Sequence, residues 1–293
     1  MKLSVFTAST PDLTLDETIS AVKEAGIDGI EWRFADVPPD ALNEAPSFWR
    51  NNRCSIPIAS EKTKWFEYRL AAEEANITSV GVLPNMTAGD LVTTERLLRA
   101  ASFMDASFIR LGVPLYDGTE PYAKLFEQTR EYLRKSEVIC RNYGVKGIVE
   151  IHHNTIVSSA SAARRLCDGF DPGYIGILYD PGNMIYEGYE DFTMGIDIMG
   201  PYLAHVHVKN VSWNRVDNAA DGVVWRAEWA GLRKGCVPWP RLVGDLQAAG
   251  YKGYLGLEDY SGEFATKDML REFAGYFRTL LNEQNHTFRE DVI

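Results

Sequence analysis

The sequence is short of several features that would place it quickly. No apolar run approaches the roughly 20 residues needed to cross a bilayer. The opening Met1–Phe6 segment reads as a strand, without the long apolar core and small-residue cleavage site of a secretory signal. A cytoplasmic protein is therefore expected. The 4 cysteines, Cys54, Cys140, Cys167 and Cys236, are far apart with no Cys-x-x-Cys pair, so they are expected to be reduced packing residues. No Lys/Arg cluster stands out, and 30 basic residues against 41 acidic ones leave a net charge of −11. Such a surface repels nucleic acid. The first strand leads into Thr7-Ala8-Ser9-Thr10-Pro11, not the glycine-rich phosphate turn of a doubly wound dinucleotide-binding sheet. Nor does a linker or low-complexity tract divide the chain, so residues 1–293 are expected to form one domain.

What is present is an alternation. Eight short β-branched and apolar runs recur: Leu3–Ala8, Gly29–Phe34, Ile77–Leu83, Phe108–Gly112, Gly147–His152, Ile175–Tyr179, Leu203–Val208 and Tyr254–Glu258. Between them lie stretches of helical periodicity, among them Leu15–Ala25, Tyr122–Tyr143 and Trp239–Ala249. Strands alternating with helices imply parallel pairing through right-handed crossovers. Eight units of roughly 35 residues match a (β/α)8 barrel, the α/β TIM-barrel fold. Gly26, Gly144 and Gly250 each close a helical pattern just before a strand, where a left-handed cap is wanted. Two connections are long, about 35–61 and 210–238. Both follow strands, which puts them on the carboxyl face where active-site loops belong.

Four successive strand ends carry a metal-binding side chain: Glu150 in Val149-Glu150-Ile151-His152, Asp180 in Tyr179-Asp180-Pro181-Gly182-Asn183, His205 or His207 in His205-Val206-His207-Val208-Lys209, and Glu258 in Leu257-Glu258-Asp259. An ionisable group inside an apolar strand is costly to bury unless paired or coordinated. Carboxylates and an imidazole converging above the barrel suit one divalent metal: Mn2+, Mg2+, Co2+ or Zn2+. Asp259 alternates to the other side of its strand from Glu258 and reads as structural.

These segments, with Lys234-Gly235-Cys236-Val237-Pro238-Trp239 and the run from Ala249 to Glu258, resemble the xylose isomerase-like TIM-barrel superfamily. That superfamily holds sugar isomerases and epimerases, inosose dehydratases and isomerases, and endonuclease IV. The resemblance implies that Glu150, Asp180, His207 and Glu258 are the four ligands, with Glu150 and Glu258 doubling as catalytic acid/base groups. It also implies substrate contacts from His152, two positions after the first ligand, from Glu31 at the second strand end, and from Lys209 in the His205–Lys209 motif. Two departures separate the chain from ketose 3-epimerases. Their substrate-binding histidine is replaced by Asn183, and their arginine by Trp213, with Arg215 nearby. Asn183, Trp213 and Arg215 are taken as the substrate-binding residues at those places. Trp213, Trp225 and Trp229, with Arg215 and Arg226, make the 210–238 segment read as a pocket lid.

The expected reaction is isomerisation or epimerisation of a sugar or keto-polyol, by Glu-mediated proton transfer through a metal-stabilised enediolate. The alternative is a lyase of the inosose dehydratase type using the same site. An endonuclease IV-like enzyme is disfavoured by charge and by a total of 5 histidines, one of which, His286, lies in the tail. A non-catalytic sugar-binding barrel would be expected to lack a ligand. No glycine-rich turn near strands seven and eight marks a phosphate site, so an unphosphorylated small molecule is the expected partner, with no nucleic acid and no membrane. The resemblance also implies homo-oligomers, which are usual among such relatives.

Overall fold

A computed structural model describes residues 1–187, 190–216 and 223–283. The barrel strands are β1 (Lys2–Phe6), β2 (Gly29–Phe34), β3 (Thr78–Pro84), β4 (Phe108–Leu111), β5 (Lys146–Glu150), β6 (Ile175–Tyr179) and β7 (Leu203–Val208). After a hairpin, β8 (Val211–Val216) and β9 (Val224–Trp229), the barrel closes with β10 (Tyr254–Leu257). Each barrel strand pairs in parallel with its neighbours, and β10 lies between β7 and β1, so the barrel itself has no open edge.

The helices are α1 (Leu15–Ala25), α2 (Lys62–Glu74), α3 (Leu91–Phe103), α4 (Tyr122–Tyr143), α5 (Ala160–Cys167), the short α6 (Pro181–Ile185), α7 (Phe192–Met199), α8 (Trp239–Ala248) and α9 (Thr266–Glu283). Their starts and stops follow local chemistry. Thr14 and Glu17 form a reciprocal capping box at the start of α1. Gly26, Gly144 and Gly250 take φ of 69°, 65° and 76°, the left-handed turn that returns each helix to the next strand. The strands pack their outer faces against the helices through a continuous apolar layer that includes Val5, Ile30, Val82, Ile109, Val149 and Ile177. A separate cluster of Phe6, Val80, Phe108, Ile148 and Leu178 plugs the barrel interior. Cys54, Cys140 and Cys167 are buried free thiols, and Cys236 is an exposed one.

The 210–238 connection differs from the loop expected. Val211–Val216 and Val224–Trp229 form an antiparallel ladder from Val211↔Trp229 out to Val216↔Val224. Both segments are rich in valine and tryptophan, side chains that suit a half-exposed pleat. The turn between them, 217–222, lies outside the described residues, as does His286. None of the helices described is long and apolar enough to cross a membrane.

Candidate metal centre

The barrel delivers four ligand-type side chains to one point on its carboxyl face. Glu150 ends β5, Asp180 follows β6, His207 lies within β7, and Glu258 follows β10, where its N–H donates to Val208 O at 3.0 Å. One donor atom from each lies within 4.8 Å of all the others, and all four residues are buried. His207 Nδ1 stands 3.4 Å from Glu258 Oε2, 3.6 Å from Glu150 Oε1 and 4.0 Å from Asp180 Oδ2. These separations are too long for strong hydrogen bonds, and Nδ1 has no hydrogen-bond partner among the described residues. They are close to the spacing of ligands around a cation with bonds of roughly 2.0–2.2 Å. Three carboxylates and an orphaned imidazole nitrogen therefore fit a divalent metal, and the oxygen-rich set suits a hard or borderline ion.

Each ligand is held from behind. Asp180 caps α6, accepting from Asn183 N at 2.8 Å through Oδ1, while Asn183 Nδ2 donates to Oδ2 at 2.8 Å and to Ile151 O at 3.2 Å. Arg110, on β4, grips Glu150 Oε2 at 2.6 Å and Pro84 O at 2.8 Å. Tyr260 donates its hydroxyl to Glu258 Oε1 at 2.8 Å. Glu31 Oε2 holds His207 Nε2 at 2.8 Å; its Oε1 accepts from Ser4 Oγ at 2.7 Å and meets His205 Nε2 at 3.0 Å. A carboxylate on the far ring nitrogen fixes the ring so that Nδ1 faces the donor cluster. Gly256 makes room for this arrangement, since a Cβ there would collide with Glu31 Oε1 and His205 Nε2.

The charges respond to this crowding. Burial opposes ionisation of Glu150, but the Arg110 charge and the contact with His207 outweigh it and hold the carboxyl well below its usual range. Burial pushes Asp180 up to about 6, against Lys209 and with the charges of Glu258 and Glu150 adding. For Glu258, burial loses to Lys209 and His207, which bring it down to about 2. Burial opposes a charge on His207 too, yet Glu258 and Glu31 favour it. The carboxylates demand positive charge at Nδ1, which either a proton or a metal on the neutral ring can supply.

A cavity of about 400 Å³ opens above these groups, reached by Glu150 and Glu258 and walled by Trp49, Trp229 and Tyr260. Of the substrate contacts expected, His152 and Lys209 line it. The other four expected contacts, Glu31, Asn183, Trp213 and Arg215, are not among the residues that line this cavity. Glu31 is fully buried behind His207, because the alternation of β2 turns it into the barrel interior, so it faces the histidines and not the cavity. Asn183 is fully buried behind the acids, bracing them. Trp213 and Arg215 do not line the cavity: they sit up the hairpin opposite Ala227 and Trp225, and the Trp213 indole donates to Ile185 O at 3.0 Å. Among the described residues of the hairpin, Trp229, at the base of the ladder, is the one that lines the cavity.

Sequence reasoning passed over Arg110, Tyr260 and His153. Arg110 is the one charge within the Phe108–Leu111 strand, and Tyr260 shares the alternation of Glu258 two residues on; both were visible signals. His153 stacks on Tyr186 at 4.2 Å and hydrogen-bonds Asn183 Oδ1 at 2.9 Å, which only the loop's folded path discloses.

Comparison with known proteins then decides the family, since the model of the xylose isomerase-like TIM barrel matches residues 19–280. The chain belongs to the xylose isomerase-like TIM-barrel family. Within curated proteins, an inosose dehydratase of Geobacillus kaustophilus is 29% identical over 89 residues, which is 29% of this chain and 28% of that protein. The chain thus matches well under two thirds of that relative's length. Among solved structures, 3-keto-D-glucoside 4-epimerase from E. coli superposes with a TM-score of 0.70 at 16% identity, covering 95% of this chain and 99% of that one. A xylose isomerase-like TIM-barrel protein of Mycobacterium smegmatis, solved in complex with magnesium, gives 0.71 at 16% identity over 97% of each chain. At such identities these two likenesses show the shared barrel.

Proposed function

We propose that the chain is a divalent-metal-dependent enzyme that moves a proton at the carbon beside the carbonyl of a small, unphosphorylated sugar or keto-polyol, as an isomerase or epimerase. The observation that carries the reading is the pair Glu150 and Glu258, which reach the same cavity from the ends of strands β5 and β10, with one oxygen of each 3.6 Å and 3.4 Å from His207 Nδ1. Each turns one oxygen toward that nitrogen and has the other pinned, Glu150 by Arg110 and Glu258 by Tyr260. Two fixed carboxylates in one cavity can take a proton from one carbon and return it to its neighbour or to the opposite face.

Glu150, Asp180, His207 and Glu258 would hold the metal. When bound, it would supply positive charge to the substrate oxygen on which negative charge develops. Arg110 keeps Glu150 ionised and therefore able to accept a proton. Tyr260 orients Glu258 and shares a hydrogen with it. Trp229 and Trp49 offer apolar faces to the C–H side of a polyol ring and exclude water. His152 and Lys209 supply polar contacts on the cavity wall.

A second reading, a dehydratase acting on an inosose-like cyclic polyol ketone, is favoured by the name of the curated relative. Here one glutamate would remove the proton and the Tyr260–Glu258 pair would protonate a departing hydroxyl. NMR of products from Mn2+-loaded enzyme and a panel of keto-sugars and inososes, run in D2O, separates the readings. Solvent deuterium in a product of unchanged formula supports the first, and loss of a hydroxyl supports the second. Turnover unaffected by removal of metal would refute both.

A further inference from the structure

Among the described residues, Arg110 and Lys209 reach the donor cluster, and they engage it differently. Arg110 binds Glu150 through Oε2, the oxygen turned away from His207, and leaves Oε1 toward the cluster centre. Lys209 instead takes the very oxygens that face His207 Nδ1. Its Nζ donates to Asp180 Oδ2 at 2.8 Å and is in ion-pair contact with Glu258 Oε2. Asp180 Oδ2 and Glu258 Oε2 are also the atoms 4.0 Å and 3.4 Å from Nδ1. The Lys209 side chain is only 3% exposed, and Gly182 makes room for its stem, since a Cβ there would stand 2.9 Å from Lys209 Cβ. An ammonium on the same two carboxylate oxygens as a divalent cation brings like charges to close range in a poorly hydrated pocket, and that repulsion favours its departure. An exit exists: the ammonium lies 5.0 Å from the Trp229 ring and 5.5 Å from the Tyr260 ring, aromatic faces that attract a cation and border the cavity.

We propose that Lys209 is an internal counter-ion that competes with the metal for Asp180 Oδ2 and Glu258 Oε2, and that metal binding swings its ammonium into the substrate cavity against Trp229 and Tyr260. The proposal rests on the metal centre described above and adds an exchange to it. The same side chain neutralises the acids before loading and becomes a substrate-oxygen contact afterwards. Loading and substrate binding are then linked through one lysine, and substrate binds the loaded protein better because there the ammonium is released from the acids.

Two measurements on the full chain test it. Mn2+ affinity is measured by chelator competition for the wild type and Lys209→Met. In a separate experiment, reductive methylation of wild-type Lys209 is followed by peptide mass spectrometry with and without saturating Mn2+. The expected results are Mn2+ binding at least tenfold tighter in K209M, and several-fold faster methylation of Lys209 when Mn2+ is bound. Equal or weaker Mn2+ binding by K209M, or methylation indifferent to Mn2+, overturns the exchange while leaving the metal centre standing. Failure of both proteins to bind Mn2+ overturns the metal centre and the exchange with it. Should K209M not fold, the methylation result on the wild type still decides, since loss of repulsion alone would not alter the lysine's accessibility.

Discussion

Replacing Glu31 by glutamine probes the part of the centre least visible from the cavity. Glu31 lies in the barrel interior, its Oε2 2.8 Å from His207 Nε2 and its Oε1 between Ser4 and His205. Glutamine keeps the shape and one acceptor oxygen but removes the charge. Counting a metal bond, the ring and the hydrogen bond, a cation on Nδ1 would stand roughly 7 Å from this carboxylate. At an effective dielectric of about 20, the attraction amounts to about 5 kcal/mol, a ceiling that relaxation and water reduce. Carboxylates behind metal-bound histidines are worth about 10–100-fold in affinity, or about 1.4–2.7 kcal/mol. Glu31→Gln should therefore weaken Mn2+ binding by about tenfold or more in a chelator-competition titration, with circular dichroism unchanged. Affinity within threefold of wild type would refute the idea that Glu31 sets the orientation and basicity of His207.

The other predictions concern the cavity side. Glu150→Gln and Glu258→Gln should each abolish turnover on whichever substrate is found, while thermal melts show an intact fold; near-normal rate in either variant removes that residue from the acid/base role. His207→Ala should lower the metal content of the purified protein by elemental analysis, and unchanged stoichiometry would move the imidazole ligand to His205. Burial, with help from His152, pushes His153 down to about 4 from its ordinary value near 6.5. The unfolded chain then binds the extra proton more readily between those values, so stability should fall as pH drops from 6.5 toward 4. His153→Phe keeps the stack on Tyr186 and should flatten that part of the urea-midpoint profile; an unchanged slope would show that another group carries it.

The barrel was legible because each strand is a short apolar run closed by a turn signal, and the parallel closure follows from that alternation. The acids were legible for the same reason: Glu150, Asp180 and Glu258 interrupt or end runs that are otherwise apolar. What the sequence hid is depth. Glu31 and His205 have the same strand-interior signature as His207, and period-two alternation sends all three to the interior without saying which is nearer the mouth. The β2–β3 and β6–β7 registers each shift once, between Ile30 and Glu31 and between Ile177 and Leu178, and so set that depth. The hairpin was hidden because segments of mixed tryptophan, arginine and valine suit a loop lid as well as a rim ladder. Its pairing register puts Trp229, not Trp213 or Arg215, over the cavity.

Anomalous diffraction from crystals of the metal-loaded protein tests the central claim most directly. One divalent ion per chain is expected, bonded to Glu150 Oε1, Asp180 Oδ2, His207 Nδ1 and Glu258 Oε2 at roughly 2.0–2.2 Å. A peak elsewhere, or no peak from protein soaked at millimolar Mn2+, would contradict it.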